Sequence, residues 1–261
     1  MLIETNTKEF FDNYYKTSGV VLTANIDDCK NFNGKVYVDD KNRYYLAVKY
    51  GEEEFVDIVQ PYSVDLCGEI SEKFPNAVYV TFIYDGYVGS ESVNIGSGFY
   101  YHYKFQGTLN DGIKTEQPFT VSLITKNNVE LAKKYDDLYQ NSLPPNHMAR
   151  LENDFKHIVG YNKIDQNKIY IACIDDIPIG FILAYYNPEY FAWSFNHIQL
   201  DEKYRQKGYG SAFLTEVTKD NLKQGSSLYY SGVSENNIAS RKTAEKAGYK
   251  IAASKLCVKV K

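Results

Sequence analysis

Along the first hundred residues, apolar and polar side chains fall into short runs of strand length, rich in β-branched and aromatic types. Residues 19–25, 35–38, 43–50 and 54–59 predict strands, and Asp39-Asp40-Lys41-Asn42 predicts a hairpin turn. One amphipathic helix is predicted over 64–74, closed by Pro75-Asn76. Strands over 77–84 and 99–106 follow, flanking the glycine-bearing loop 86–98. The turn-forming stretch Leu109-Asn110-Asp111-Gly112-Ile113-Lys114 then marks a boundary.

Beyond it, residues 119–124 predict a strand, and 128–140 and 148–159 predict helices separated by Pro144-Pro145. Strands over 170–174 and 179–185 flank the turn Asp175-Asp176-Ile177-Pro178. The order closes with a strand over 192–200, a helix opened by a glycine loop, a strand over 228–233, a short helix stopped by Gly248, and a strand over 256–259. These elements predict an α+β fold with a mixed α/β sheet. Two domains, 1–117 and 118–261, each have the length to bury a core.

The chemistry concentrates between Ile198 and Ser211. A polar turn over 201–204 leads to Arg205-Gln206-Lys207-Gly208-Tyr209-Gly210-Ser211, opening a helix whose Phe213, Leu214 and Val217 share one stripe. The first helical turn holds amide N–H groups without intrahelical partners, and the macrodipole adds positive charge there. Gly208 and Gly210 keep side chains away from an approaching phosphate and allow φ > 0. Arg205 and Lys207 add charge at the rim, so the expected ligand carries a pyrophosphate. A dinucleotide fingerprint would need a third glycine where Phe213 stands. A P-loop would need four residues between its glycines and a following Lys-Ser/Thr, which is absent.

A second segment, 233–249, reads as a strand end, an Asn N-cap, a short helix and a glycine stop. Ala239, Thr243 and Ala247 make a small-residue face suited to close packing. Together the loop and this segment resemble the two acyl-CoA-binding motifs of the GNAT superfamily of N-acyltransferases, across residues 192–250. The resemblance implies a GNAT fold in the C-terminal half and acetyl-CoA as cosubstrate. An acetyl group would pass to a primary amine by direct attack in a ternary complex. The pantetheine would lie between the strands 192–200 and 228–233, hydrogen-bonded to the backbone of Ile198 and Leu200, with Asn237 reaching the CoA arm.

Two positions depart from the family. Counting back by twos from Leu200 and Ile198, the strand face carries Asn196 and Ser194 where relatives often hold Glu or His. His197 joins that face only if a bulge shifts the parity, and Glu189 is another candidate base. Seven residues after Asn237, where many relatives place the tyrosine that protonates the thiolate, this chain has Ala244. Tyr185, Tyr186, Glu189 and Trp193 stand where a loop could wall the acceptor pocket. The first half has the strand and helix order of a GNAT core, yet Gln60-Pro61-Tyr62-Ser63 replaces the cofactor loop. It reads as a degenerate GNAT-like copy, with an acceptor-binding α+β domain and a homodimerisation module as the alternatives.

The net charge of −4 argues against nucleic acid as a partner. Residues 1–117 carry 18 acidic and 10 basic side chains, whereas 118–261 carry 15 and 19. That asymmetry suits an anionic cofactor in the second half and a cationic acceptor beside the first. With no apolar run of spanning length and no basic leader at Met1, a cytoplasmic protein without membrane contact is expected. Cys29, Cys67, Cys173 and Cys257 are too scattered to frame a zinc site, so no metal is expected. The other class of function these features allow is a regulatory or scaffolding protein that binds CoA without turnover.

Overall fold

The computed structural model describes residues 1–18, 34–50, 52–86, 99–105, 109–125, 127–128, 130–131, 134, 167–187, 192–223 and 228–261. The expected strand 19–25, the expected helix 148–159 and most of the expected helix 128–140 lie outside them. Two compact units emerge. The first comprises Met1–Lys104, Gly232–Ile238 and Ile251–Lys261, and the second Phe105–Ser231 and Ala239–Lys250. They differ from the contiguous halves 1–117 and 118–261, because two C-terminal stretches group with the first unit.

In the first unit, β1 (Leu2–Thr5), α1 (Thr7–Ser18), β2 (Lys35–Asp39), β3 (Tyr44–Tyr50) and β4 (Glu53–Ile58) precede α2 (Val64–Lys73), β5 (Ala77–Asp85) and β6 (Phe99–Phe105). The last strand of the chain, β12 (Tyr249–Lys259), pairs antiparallel with β5 from Ala253↔Asp85 to Lys259↔Tyr79. Strand order is β1-β2-β3-β4-β5-β12-β6. The strands from β1 to β4 are antiparallel, and β5 lies parallel to β4 with α2 as the crossover. Neither β1 nor α1 was legible as an element. α1 begins where the Asn6 side chain accepts from the Lys8 amide at 2.8 Å, and it buries Phe10 and Phe11.

Turn chemistry sets the β2–β3 hairpin. Asp39 accepts from the Lys41 and Arg43 amides, and Asn42 takes the left-handed φ of 56° that asparagine tolerates. The same carboxylate, fully buried, accepts from Arg43 Nε and Nη2, Tyr45 OH and Lys73 Nζ at 2.7–2.9 Å. Burial alone would raise its pKa. The hydrogen bonds from Arg43, Lys73 and Tyr45 outweigh that and hold it far below the usual carboxylate range.

The second unit runs β7 (Thr120–Leu123), β8 (Asn167–Ile174), β9 (Ile177–Asn187), β10 (Ala192–Leu200), α3 (Tyr209–Leu222), β11 (Leu228–Ser234) and α4 (Ile238–Ala247). Its strand order is β11-β10-β9-β8-β7. Pairing is antiparallel from β7 to β10, and β11 is parallel to β10 with α3 as the crossover. Four antiparallel strands followed by a parallel fifth across a helix thus occur in both units. The β8–β9 turn uses Asp175 and Asp176 with φ of 48° and 60°, a two-residue left-handed connection. One face of this sheet buries Ile169, Ile171, Phe181 and Leu183; the other, carrying Trp193, Phe195 and Leu200, meets Phe213, Leu214 and Val217 of α3.

Candidate functional site

After β10 the chain makes a 3₁₀ turn, Glu202–Tyr204, and an exposed polar stretch over Arg205, Gln206 and Lys207. Gln206 has φ 62° and Gly208 φ 86°, so both are left-handed; Gly210 is already helical. Of the two glycines, only Gly208 supplies the positive φ expected of both. Gly208 is the N-cap of α3 and offers no side chain, and the first capping bond is Ala212 N–H to Gly208 O at 3.1 Å. The amides of Tyr209, Gly210 and Ser211 therefore lack intrahelical partners at the positive end of a fourteen-residue helix. Arg205 Nε donates to the Leu200 carbonyl at 2.9 Å, tying the loop to the end of β10.

Each glycine has its own reason for lacking a side chain. A Cβ on Gly208 would collide with the Lys114 carbonyl oxygen. A Cβ on Gly210 would sit in ordinary contact with Thr243 Cγ2 at 3.4 Å and with Leu200 Cδ1 and Thr243 Oγ1 at 3.5 Å, so the missing side chain there lets α4 and the end of β10 pack close to α3. Lys114 ends the stretch 109–114 that composition marked as a boundary. Residues 109–119 form a strap across the helices of the second unit. Asn110 Nδ2 donates to the Lys246 carbonyl at 3.1 Å, and Asp111 pairs with Lys219. Glu116 pairs with Lys207 at 3.0 Å, the Gln117 amide donates to Tyr209 OH at 3.0 Å, and the Phe119 ring meets Tyr209 edge-on. Tyr209 and Ser211 are buried, so their side chains build the loop while their amides face its mouth.

The strand feeding the loop is bulged. Phe195 opposes Ala184 and His197 opposes Leu183, which leaves Asn196 as the extra residue. Because side chains alternate along a strand, one inserted residue swaps the faces beyond it. Trp193, Phe195, Ile198 and Leu200 share one face, and Ser194, His197 and Gln199 share the other. The expected common face of Leu200, Ile198, Asn196 and Ser194 is thereby broken, and Ser194 is joined instead by exposed His197. Among the described residues, the β10–β11 ladder comprises three pairs, from Ala192↔Leu228 to Ser194↔Tyr230. Ser231 Oγ then donates to the Phe195 carbonyl at 2.9 Å, while β10 continues through the bulge to Leu200. Parallel pairing ends where the bulge begins.

The remaining expected residues are dispersed. Ile198 is half-buried and Leu200 buried at the α3-facing side, next to Gly210. Trp193 is buried on that same side, 5.1 Å from the Tyr186 ring, with Lys168 Nζ 4.6 Å over its indole. Lys168 also donates to Asn221 Oδ1 at 3.1 Å, and Tyr170 OH donates to Asp220 and Asn221. This polar cluster packs the end of α3, so Trp193 stands in a core opposite the face of Ser194 and His197. Tyr185 and Tyr186 are half-buried, and Glu189 lies outside the described residues. Asn237 is exposed and groups with the first unit. In α4 the buried positions are Ala244 and Ala247, with Thr243 half-buried against Gly210; Ala239 is exposed, a rotation from the expected small-residue face. Ala244 is buried, 3% exposed, and its methyl side chain carries no hydroxyl.

The equivalent features of the first unit are closed. Ser63 caps α2 by accepting from the Leu66 amide at 3.1 Å, so a side chain occupies the place of an anion. The β4–β5 pairing runs on to Ile58↔Phe82 at the end of β4. Its one irregularity falls at the strand start, between Glu54 and Phe55, where it parts nothing.

Comparison with known proteins bears on the family and the fold. The sequence profile of the Acetyltransferase (GNAT) family matches residues 130–249. No curated protein sequence matches the chain. Among solved structures, an acetyltransferase of the GNAT family from Colwellia psychrerythraea superposes with a TM-score of 0.63 at 13% identity, covering 100% of both chains. A GCN5-related N-acetyltransferase from Sphaerobacter thermophilus gives 0.59 at 11% identity, covering 98% of this chain and 94% of that one. A functionally unknown conserved protein from Staphylococcus epidermidis gives 0.54 at 12% identity, covering 88% and 97%. At such identities these similarities speak to fold.

Proposed function

Residues 130–249 belong to the acetyltransferase (GNAT) family, and from that premise we propose that the protein transfers an acetyl group from acetyl-CoA to a primary amine. The observation that carries this is that the β10–β11 ladder of the described residues ends at Ser194↔Tyr230, just before the Asn196 bulge and upstream of an uncapped helix N-terminus. The amides of Tyr209, Gly210 and Ser211, with Arg205 and Lys207, receive the CoA pyrophosphate. The pantetheine follows β10 beyond the bulge, where the backbone of Ile198 and Leu200 offers hydrogen-bonding groups in place of a neighbouring strand, and an N–H there polarises the thioester carbonyl.

The amine attacks the thioester carbonyl directly, so a base must first take a proton from its ammonium form. The bulge brings His197 onto the face of Ser194, which makes His197 the base, acting directly or through one water. Ala244 supplies no proton to the departing thiolate, so solvent protonates it. Tyr185, paired with Ser194 on the His197 face, lines the acceptor side, whereas Tyr186 packs on Trp193 on the opposite face; an amine-bearing, cationic acceptor is the expected class.

Thiol release from acetyl-CoA, followed with a dye across a panel of cationic, neutral and acidic amines, tests the proposal. Turnover restricted to neutral or acidic acceptors refutes the cationic class, and a His197→Gln variant with an unchanged pH–rate profile removes His197 as the base. Ala244 also favours a second reading, CoA binding without turnover. Calorimetric heat with CoA but no thiol release on any amine selects it.

A further inference from the structure

The strap carries two cation-paired carboxylates, Asp111 with Lys219 and Glu116 with Lys207, and the second stands at the mouth of the anion site. Glu116 meets Lys207 at 3.0 Å, and both side chains are substantially exposed, at 59% and 39%. Lys207 is one of the two cations beside the uncapped amides of α3. The strap is anchored on either side of Glu116. The Lys114 carbonyl fills the space a Gly208 side chain would need, and Gln117 N–H bonds Tyr209 OH. Glu116 is therefore held at the loop by contacts that do not involve its own carboxylate.

We propose that Glu116 is an affinity-setting residue for the anionic cofactor: it holds Lys207 in the ligand-free protein and must release it when a phosphate arrives. The proposal rests on the CoA reading of this loop. Binding exchanges one ion pair, Lys207 with carboxylate, for another, Lys207 with phosphate. The net gain from that lysine is reduced by whatever the first pair is worth. Exposed ion pairs of this kind are worth a factor of roughly two to five in an equilibrium constant, less at high ionic strength. Such attenuation suits an enzyme that has to let CoA go after each turnover.

Isothermal titration with CoA at low ionic strength, on wild type, Glu116→Gln, Lys207→Gln and the double variant, tests this. Glu116→Gln should tighten binding by roughly two- to fivefold with Lys207 present, and by much less in the Lys207→Gln background. Equal tightening in both backgrounds overturns the proposal, because the carboxylate then acts by plain repulsion rather than through Lys207. An unchanged dissociation constant for Glu116→Gln overturns it too, leaving the CoA reading intact. Absence of heat with wild type refutes the CoA reading itself, and this proposal with it.

Discussion

Substituting Gly208 by alanine separates the two glycines of the loop. At φ 86° an L residue pays the left-handed penalty, about 1–2 kcal/mol. The added Cβ also strikes the Lys114 carbonyl oxygen, a backbone atom held by a strap bonded on both sides, so it cannot be relieved by a rotamer change. Overpacking of this kind costs about 1–3 kcal/mol. The sum, about 3 kcal/mol, lowers Tm by roughly 6–12 °C in a unit of this size. Gly210→Ala is the control: Gly210 is helical, its nearest neighbour would be 3.4 Å from the new Cβ, and alanine gains about 0.5–1 kcal/mol of helix propensity. Thermal melts of both variants, with CoA titrations of each, give the readout. Gly208→Ala should lose stability and affinity together, whereas Gly210→Ala, whose new methyl meets Thr243 and Leu200, should keep both. A Gly208→Ala protein as stable as wild type refutes the assignment of Gly208 to the strap.

The other predictions concern the rest of the chain. Arg205→Ala removes both a rim charge and the bond to the Leu200 carbonyl, so the KM for acetyl-CoA should rise about tenfold; an unchanged KM shows that Arg205 does not serve the cofactor. The Asp39 carboxylate is ionised in the fold at a pH where an unfolded aspartate is already protonated, so its stabilisation is complete above about pH 4 and fades as pH falls below that. Asp39→Asn leaves Arg43 and Lys73 without their shared buried anion and should cost about 3–5 kcal/mol near neutrality while flattening this acid limb; denaturant melts at pH 7 and pH 3 test both effects. Removing residues 251–261 takes β12 from its pairing with β5, along with buried Ala253, Ser254 and Leu256. The first unit should then lose cooperative unfolding and protease resistance, and an unchanged melt rules out β12 as part of that unit.

Signals confined to a few neighbouring residues were legible in the sequence. Asp39 to Asn42 and Asp175 with Asp176 form the expected turns, and Gly208 begins α3 where the loop composition placed it. Backbone preference and capping act within one turn of chain, so the local sequence suffices to encode them. The same holds for the first unit, where Gln60-Pro61-Tyr62-Ser63 stands in place of a cofactor loop and the structure shows Ser63 capping α2. In that sense the candidate anion site, and its lack of a counterpart near residue 60, were determined by sequence alone.

Pairing and register depended on partners far along the chain. Nothing around Tyr249–Lys259 says that the strand will join β5 some 170 residues earlier, because any unpaired edge of suitable pattern could accept it. His197 and Ser194 read as belonging to opposite faces until the partner strand β9 fixed Asn196 as the inserted residue, and a period of two makes one such residue decisive. Residues 109–114 have turn composition, yet packing of 109–119 against Gly208, Lys207 and Tyr209 makes the stretch part of the site. Sequence determined which groups could hold an anion; the tertiary fold decided which strand face, which helix end and which distant carboxylate they would meet, because those meetings depend on cross-strand registers and packing that no single stretch of chain contains.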